Sequence, residues 1–196
     1  MSASLRWTSS DLLNLPDDSK RREIIDGELY VSRQPHFYHQ VLGGNFVTEF
    51  NAWDVPRRFG ITAIAPGLVF ADDDDVAPDV IWVSYERLAA THSGGKLHAA
   101  PEIVIEILSP GLKNISRDCD TKLKLYARRG ADEYWIADWR LHRVEVYRRA
   151  GALLVRAGAL GPGDTLTSPP LAGFALPLDR LFLGIPFGND ARDGDE

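Results

Sequence analysis

The chain has 196 residues, 44% of them hydrophobic, and a formal net charge of −6. That is enough for one core-bearing domain with little left for a second, and the acidic balance argues against a broad basic surface for nucleic acid. The single cysteine, Cys119, excludes an intramolecular disulfide framework and a cysteine-cluster metal site, which fits a reducing cytoplasm; the first residues, MSASLRWTSSDLL, lack the basic and apolar regions of a signal peptide, and no stretch approaches the roughly 18 apolar residues of a membrane span.

In chain order, Thr8-Ser-Ser-Asp-Leu-Leu caps and starts a short helix. From Arg22 to Ser32 two β-type runs flank Asp26-Gly27, a strong hairpin signal. Between Phe37 and about Trp53 the apolar residues Val41, Phe46, Val47 and Phe50 have mixed helical spacing, weakened by Gly43-Gly44. Gly60–Ala65 and Leu68–Ala71 read as strands around the Pro66-Gly67 turn. Asp72–Asp75 and the tail Asp190–Glu196 hold much of the acidic excess and read as solvated loop and terminus. Asp79–Val83 is a further strand, and Ser84–Ala90 can cap and form a short helix. Glu102–Leu108, apolar on both faces apart from its acids, is expected as a central strand covered on both sides. After Ser109-Pro110-Gly111 the pattern predicts a helix from about Asn114 to Arg129, stopped by Gly130 in the C′ position. Strands at Glu133–Ala137, Arg143–Arg148 and Leu153–Ala157 follow, then a helical turn near Leu178–Phe182. The order predicts an α/β fold, a mixed central sheet flanked by helices with an N-terminal β-hairpin. It is read as a single domain over 1–196, with its core at about 20–150, a C-terminal wrap over 151–185 and an acidic tail over 186–196.

Two acids stand out against this pattern. Asp79 in Pro78-Asp-Val-Ile-Trp-Val and Glu106 in Pro101-Glu-Ile-Val-Ile-Glu-Ile-Leu-Ser-Pro lie at or inside apolar runs. A lone buried carboxylate is costly unless paired, protonated or metal-bound. Two of them on neighbouring strands suggest a shared divalent-metal site. No lysine accompanies Glu106 on its own strand; the next in the chain is Lys113.

At about 100° per residue, Ile115, Cys119, Lys122 and Tyr126 share a narrow sector of the following helix. Lys122 then sits in an otherwise apolar stripe, while Lys124 points to the opposite side. Asp118, one turn earlier, is placed to pair with Lys122. The competing reading is that Lys122 lies at the edge of the stripe and snorkels to water.

These pieces resemble the PD-(D/E)XK nuclease superfamily, and within it the Uma-type restriction endonuclease family. The matching segments are Glu23-Ile-Ile-Asp-Gly-Glu-Leu, His39-Gln40, Pro78-Asp79-Val80, Glu106-Ile-Leu-Ser-Pro, Arg117-Asp118 with Lys122 and Tyr126, and Gly130-Ala-Asp-Glu-Tyr-Trp-Ile-Ala-Asp138. Each is weak alone, and together, in this order, they are specific. One departure is Ala77 before Pro-Asp, where such proteins often carry an arginine.

The resemblance implies a metal-dependent endonuclease acting on DNA, in which Asp79 and Glu106 hold Mg2+ (or Mn2+), joined by the backbone carbonyl of Ile107. Lys122 would orient or deprotonate the attacking water, and Glu23 would bind a second metal or position water. For Glu23 the competing reading is a surface carboxylate beside Arg21 and Arg22. His39 and Asp118 are supporting candidates, His39 ranking low because a lone helical histidine is more often a packing residue. Glu28 and Glu102 read as solvated, Asp138 as a turn residue, and Tyr134 and Trp135 as core or dimer surface. A homodimer is expected, since double-strand cleavage commonly pairs two such sites. The rival readings are a catalytically idle module binding nucleic acid or protein, and a hydrolase of another phosphate ester. The absence of a Gly-x-Ser-x-Gly elbow or a phosphate-cradling glycine loop argues against a serine hydrolase or a nucleotide fold.

Overall fold

The computed structural model describes residues 6–188 apart from Asp17 and Ser19, so the acidic run Asp190–Glu196 lies outside the described residues. A capped turn of helix, α1 (Ser9–Leu12), leads into the hairpin β1 (Arg21–Ile25) and β2 (Glu28–Ser32), then helix α2 (Phe37–Asp54). Next come β3 (Gly60–Ile64), β4 (Leu68–Ala71), β5 (Asp74–Val76), β6 (Val80–Ser84) and α3 (Tyr85–Thr91). Two short strands, β7 (His92–Ser93) and β8 (Lys96–Leu97), precede β9 (Ile103–Ile107). Helix α4 (Leu112–Ser116), a π turn (Arg117–Thr121) and α5 (Lys122–Arg129) follow in continuous succession. Then come β10 (Glu133–Asp138), β11 (Arg143–Ala150), β12 (Leu153–Leu160), the β13 (Thr165–Thr167) and β14 (Ala175–Pro177) pair, and α6 (Leu178–Leu181).

The larger architecture is a mixed sheet in the order β12-β11-β10-β9-β6-β3, in which β9 and β10 run parallel and β6 antiparallel to β9. All five residues of β9 are buried, as its two-sided apolar sequence demands. Strand alternation then sorts the core into two layers. Ile103, Ile105 and Ile107 face α2 and the C-terminal wrap, packing with Leu42, Phe46, Phe50, Trp135 and Phe174. Val104 faces α5, packing with Leu125, Tyr126, Tyr134 and Ile136. Glu106, two residues on from Val104, is carried onto the α5 side.

The N-terminal hairpin turns through Asp26 (φ 50°) and Gly27 (φ 74°), the paired left-handed geometry that an Asp-Gly turn supplies. It does not stand alone. It heads a second sheet, β2-β1-β5-β4-β8-β7. The strands on either side of Pro66-Gly67 therefore belong to different sheets, β3 to the larger and β4 to the smaller.

The acidic run 72–75 corrects the expectation of a solvated loop. Asp74 and Asp75 are buried in β5, where Asp74 accepts from the backbone N–H of Asp26 and from Arg128 and Arg129, and Asp75 meets Lys96. Buried carboxylates need such partners, and these come from distant segments that no local pattern reveals. Glu102 likewise is not simply solvated: it accepts from the Ser84 hydroxyl and backbone N–H and pairs with Arg87. Glu28 is exposed, Tyr134 and Trp135 are core, and Asp138 binds the neighbouring Arg140. Among the described residues no helix is long and apolar enough to cross a membrane.

Candidate active site

The antiparallel register of β6 and β9 pairs Val80 with Ile105, so one step further sets Asp79 opposite Glu106 at the strand ends. Both are buried, at 8% and 2% exposure. Asp79 Oδ2 accepts from the Ile107 backbone N–H at 2.7 Å and lies 3.2 Å from His39 Nε2. Its other oxygen, Oδ1, accepts from Arg21 Nη1 at 2.7 Å. Glu106 Oε1 accepts from Lys122 Nζ at 2.9 Å and from the Tyr126 hydroxyl at 3.0 Å. Arg21 Nη2 lies 4.0 Å from Glu106 Oε2.

Lys122 therefore points into the molecule rather than snorkelling, with its side chain fully buried, while Lys124 is exposed and paired with Asp120. The helix bearing it is not regular. Across the π turn the N–H of Lys122 bonds to Arg117 O, five residues back; such insertions recur at functional sites. Here the wide turn lies where Asp118 and Lys122 are both buried, with Asp118 Oδ1 3.9 Å from Nζ. Arg117 Nε closes the other side of Asp118 Oδ1 at 3.0 Å.

Glu23 is not a surface carboxylate. It is 1% exposed, its Oε1 lies 3.0 Å from Lys122 Nζ, and the same oxygen accepts from the Ala77 backbone N–H at 3.0 Å. Period-2 alternation along β1 puts Arg21 and Glu23 on one face, and both reach the cluster. His39 is buried as well, in phase on α2 with Leu42, Phe46 and Phe50. The structure thus brings together Asp79, Glu106, Lys122, Glu23, His39, Ile107 and Asp118. It adds Arg21 and Tyr126, which the sequence reading did not rank as site residues. A period-2 phase for Arg21 and a stripe position for Tyr126 were the available signals.

Electrostatically the cluster is a tight alternation of sign. Burial penalises the charge of Asp79, but the His39 contact and the Arg21 and Lys122 charges hold its carboxyl well below the usual range. Burial also works against Glu23, and Lys122 with Arg21 outweighs it, lowering its pKa. For Glu106 burial wins over Lys122, and with repulsion from Asp79 pushes the carboxyl up to about 8. Burial would lower Lys122, yet Glu106, Glu23 and Asp118 raise it, so the amine is held as an ammonium.

Part of the cluster lines a cavity of about 110 Å³ bordered by Arg21, His39, Asp79, Glu106, Ile107 and Arg117, with the buried Lys122, Glu23 and Tyr126 outside that lining. Its mouth continues into a wider groove of about 470 Å³ lined by Arg33, His36, Arg117, Gln34 and Asn114 among others, with no acidic residue in the lining. In a chain of net charge −6 this is a locally basic approach.

A hard divalent cation fits the donor set. Asp79 Oδ1 and Glu106 Oε2 are carboxylate oxygens directed to the same cavity, and two further buried atoms nearby, Glu23 Oε2 and His39 Nδ1, have no protein partner. Among the described residues, no three His, Cys, Asp or Glu side chains are already drawn together as a metal cage.

A family model described as "Uma2: Putative restriction endonuclease" matches residues 9–179. Among solved structures, the chain is similar to one titled "Crystal structure of a putative nuclease belonging to DUF820 from Anabaena variabilis ATCC 29413", with a TM-score of 0.70 and 20% sequence identity. That likeness covers 89% of this chain and 97% of the other, and it establishes a shared fold. No curated protein matches the chain.

Proposed function

The chain belongs to the Uma2 family, and from that premise we propose that it is a divalent-metal-dependent endonuclease hydrolysing phosphodiester bonds in DNA. The observation that carries the reading is the fully buried Lys122, delivered by a helix to within 2.9 Å of Glu106, whose carboxyl lines a cavity together with Asp79. A structural ion pair has no need of an adjoining cavity with a basic mouth.

Asp79 Oδ1 and Glu106 Oε2 would hold Mg2+ or Mn2+, with the Ile107 carbonyl as a further ligand. When bound, the ion supplies Lewis acidity and a water of lowered pKa. The rest falls to the protein. The Ile107 N–H and His39 fix the rotamer of Asp79. Lys122, held charged by three carboxylates, acts as a donor that orients the attacking water and stabilises charge on the scissile phosphate; the same charge makes it unsuited to remove a proton. Glu23 anchors the ammonium through Oε1, while its Oε2 is buried without a protein partner. Arg33 and Arg117 at the groove are suited to the flanking phosphates. A homodimer would let two such sites cut both strands.

The test is incubation of purified protein with supercoiled, linear and single-stranded DNA in Mg2+, in Mn2+ and in EDTA. Metal-dependent nicking or linearisation that EDTA abolishes is expected. Binding without cleavage in both metals would replace this reading by the idle binding module.

A further inference from the structure

Each carboxylate of the pair has one oxygen committed to the protein interior. Asp79 Oδ2 is held by the Ile107 N–H and His39, and Glu106 Oε1 by Lys122 and Tyr126. The two that remain for a metal are Asp79 Oδ1 and Glu106 Oε2. Arg21 lies against both: Nη1 is 2.7 Å from Asp79 Oδ1 and Nη2 is 4.0 Å from Glu106 Oε2, with Glu23 Oε1 at 3.5 Å from the same nitrogen.

We propose that Arg21 is a resident counter-cation of the site: its guanidinium holds the metal-facing Oδ1 of Asp79 and stands 4.0 Å from Oε2 of Glu106, and a divalent ion must displace it in order to bind. This presupposes the divalent-cation reading of the same carboxylates. Three features support it. A guanidinium supplies one positive charge where a divalent ion supplies two, and its fork can face two carboxyl groups. Arg21 is the part of the cluster that can leave, because its side chain is 30% exposed while those of Lys122, Glu23 and Glu106 are at most 2% exposed. Its Nε is buried with no protein partner, so the side chain is not tied down along its stem. The consequence is an exchange of cations. Without metal, Arg21 keeps two facing acids from repelling; with metal it is released toward the mouth of the cavity, where Arg117 and Arg33 already stand.

A residue that only supported the fold would weaken metal binding when removed. A competing cation does the opposite. Mn2+ titration of the full chain, read by the electron paramagnetic resonance of free Mn2+, separates the two without any activity assay. Arg21→Met is expected to bind Mn2+ about ten- to a hundredfold more tightly than wild type, the range set by one charge-assisted hydrogen bond. Arg21→Lys, a shorter cation without the fork, is expected to tighten binding by less, and it serves as the test should Arg21→Met fail to fold. Arg117→Met is the control for general electrostatics, since Arg117 borders the cavity but pairs with Asp118; it is expected to shift affinity by less than about threefold, as a screened charge would. Asp79→Asn combined with Arg21→Met should abolish the tightened binding. Wild-type binding with Arg21→Met and Arg21→Lys no tighter would overturn the proposal and leave the metal reading standing, as would equal tightening by Arg117→Met. No Mn2+ binding by either wild type or Arg21→Met would overturn both.

Discussion

The ammonium of Lys122 and the carboxylate of Glu106 meet at 2.9 Å, both fully enclosed, across an interval of 16 residues that takes the chain out of the central strand and into the helix laid over it. Glu23 holds the same ammonium from the hairpin at 3.0 Å. Removing the lysine strands the ionised Glu23 and takes a donor from Glu106. Lys122→Met is therefore expected to destabilise the protein by about 3–5 kcal/mol at neutral pH in urea unfolding. Adding Glu106→Gln should recover part of that loss. Equal stability of Lys122→Met and wild type would show that the pair is solvated.

The protonation of Glu106 gives a pH signature. Its carboxyl is raised from an ordinary 4.5 to about 8, so the group stabilises the folded state fully below about pH 4.5 and loses that contribution as pH climbs to 8. Asp79 and Glu23, both lowered, act in the other direction: their contribution is present above the ordinary carboxylate range and is lost on acidification. The unfolding free energy of wild type minus that of Glu106→Gln, followed in EDTA, should fall across pH 4.5–8. A difference that stays flat through this window would contradict the assignment.

Tyr126 donates its hydroxyl to the same Glu106 oxygen at 3.0 Å from a fully buried position. Tyr126→Phe keeps the ring packing and leaves a buried carboxyl oxygen without one of its donors. A loss of about 1.5–3 kcal/mol is expected in thermal or urea unfolding. No measurable loss would mean that the hydroxyl is not directed at Glu106.

His39 touches Asp79 rather than facing the cavity as a sole donor. Its removal should loosen the carboxylate without destroying the site. His39→Ala is expected to lower Mn2+ affinity about ten- to a hundredfold, as removal of an orienting partner does elsewhere. Unchanged affinity would reduce His39 to a packing residue of α2.

The strands, the hairpin turn and the helix over the sheet were legible because each leaves a local mark: Asp26-Gly27, the two-sided apolar run 103–107, and Gly130 in the left-handed conformation that stops α5. Asp79 and Glu106 stood out because an acid inside such a run is anomalous, and Lys122 because helix phase placed it in an apolar stripe. What stayed hidden depends on pairing across long sequence distances. Glu23, which only the resemblance singled out, follows Arg21 and Arg22 and looks like surface until β1 pairs with β5 and Lys122 closes over it. Asp74 and Asp75 look solvated until Arg128, Arg129 and Lys96 arrive from elsewhere. The π turn left no mark in the local sequence. Arg21 was readable in principle, two residues before Glu23 on the same face, but a strand-end arginine is ordinarily a surface residue.

The most direct measurement is single-turnover cleavage of a supercoiled plasmid at saturating Mg2+ by wild type, Asp79→Asn, Glu106→Gln and Lys122→Met, each first shown to be folded. Wild type should cut. Lys122→Met should be slower by at least about a hundredfold, the size of a lost charge-stabilising donor, and Asp79→Asn and Glu106→Gln should be inactive. Cleavage at the wild-type rate by all three variants would contradict a catalytic centre at these residues.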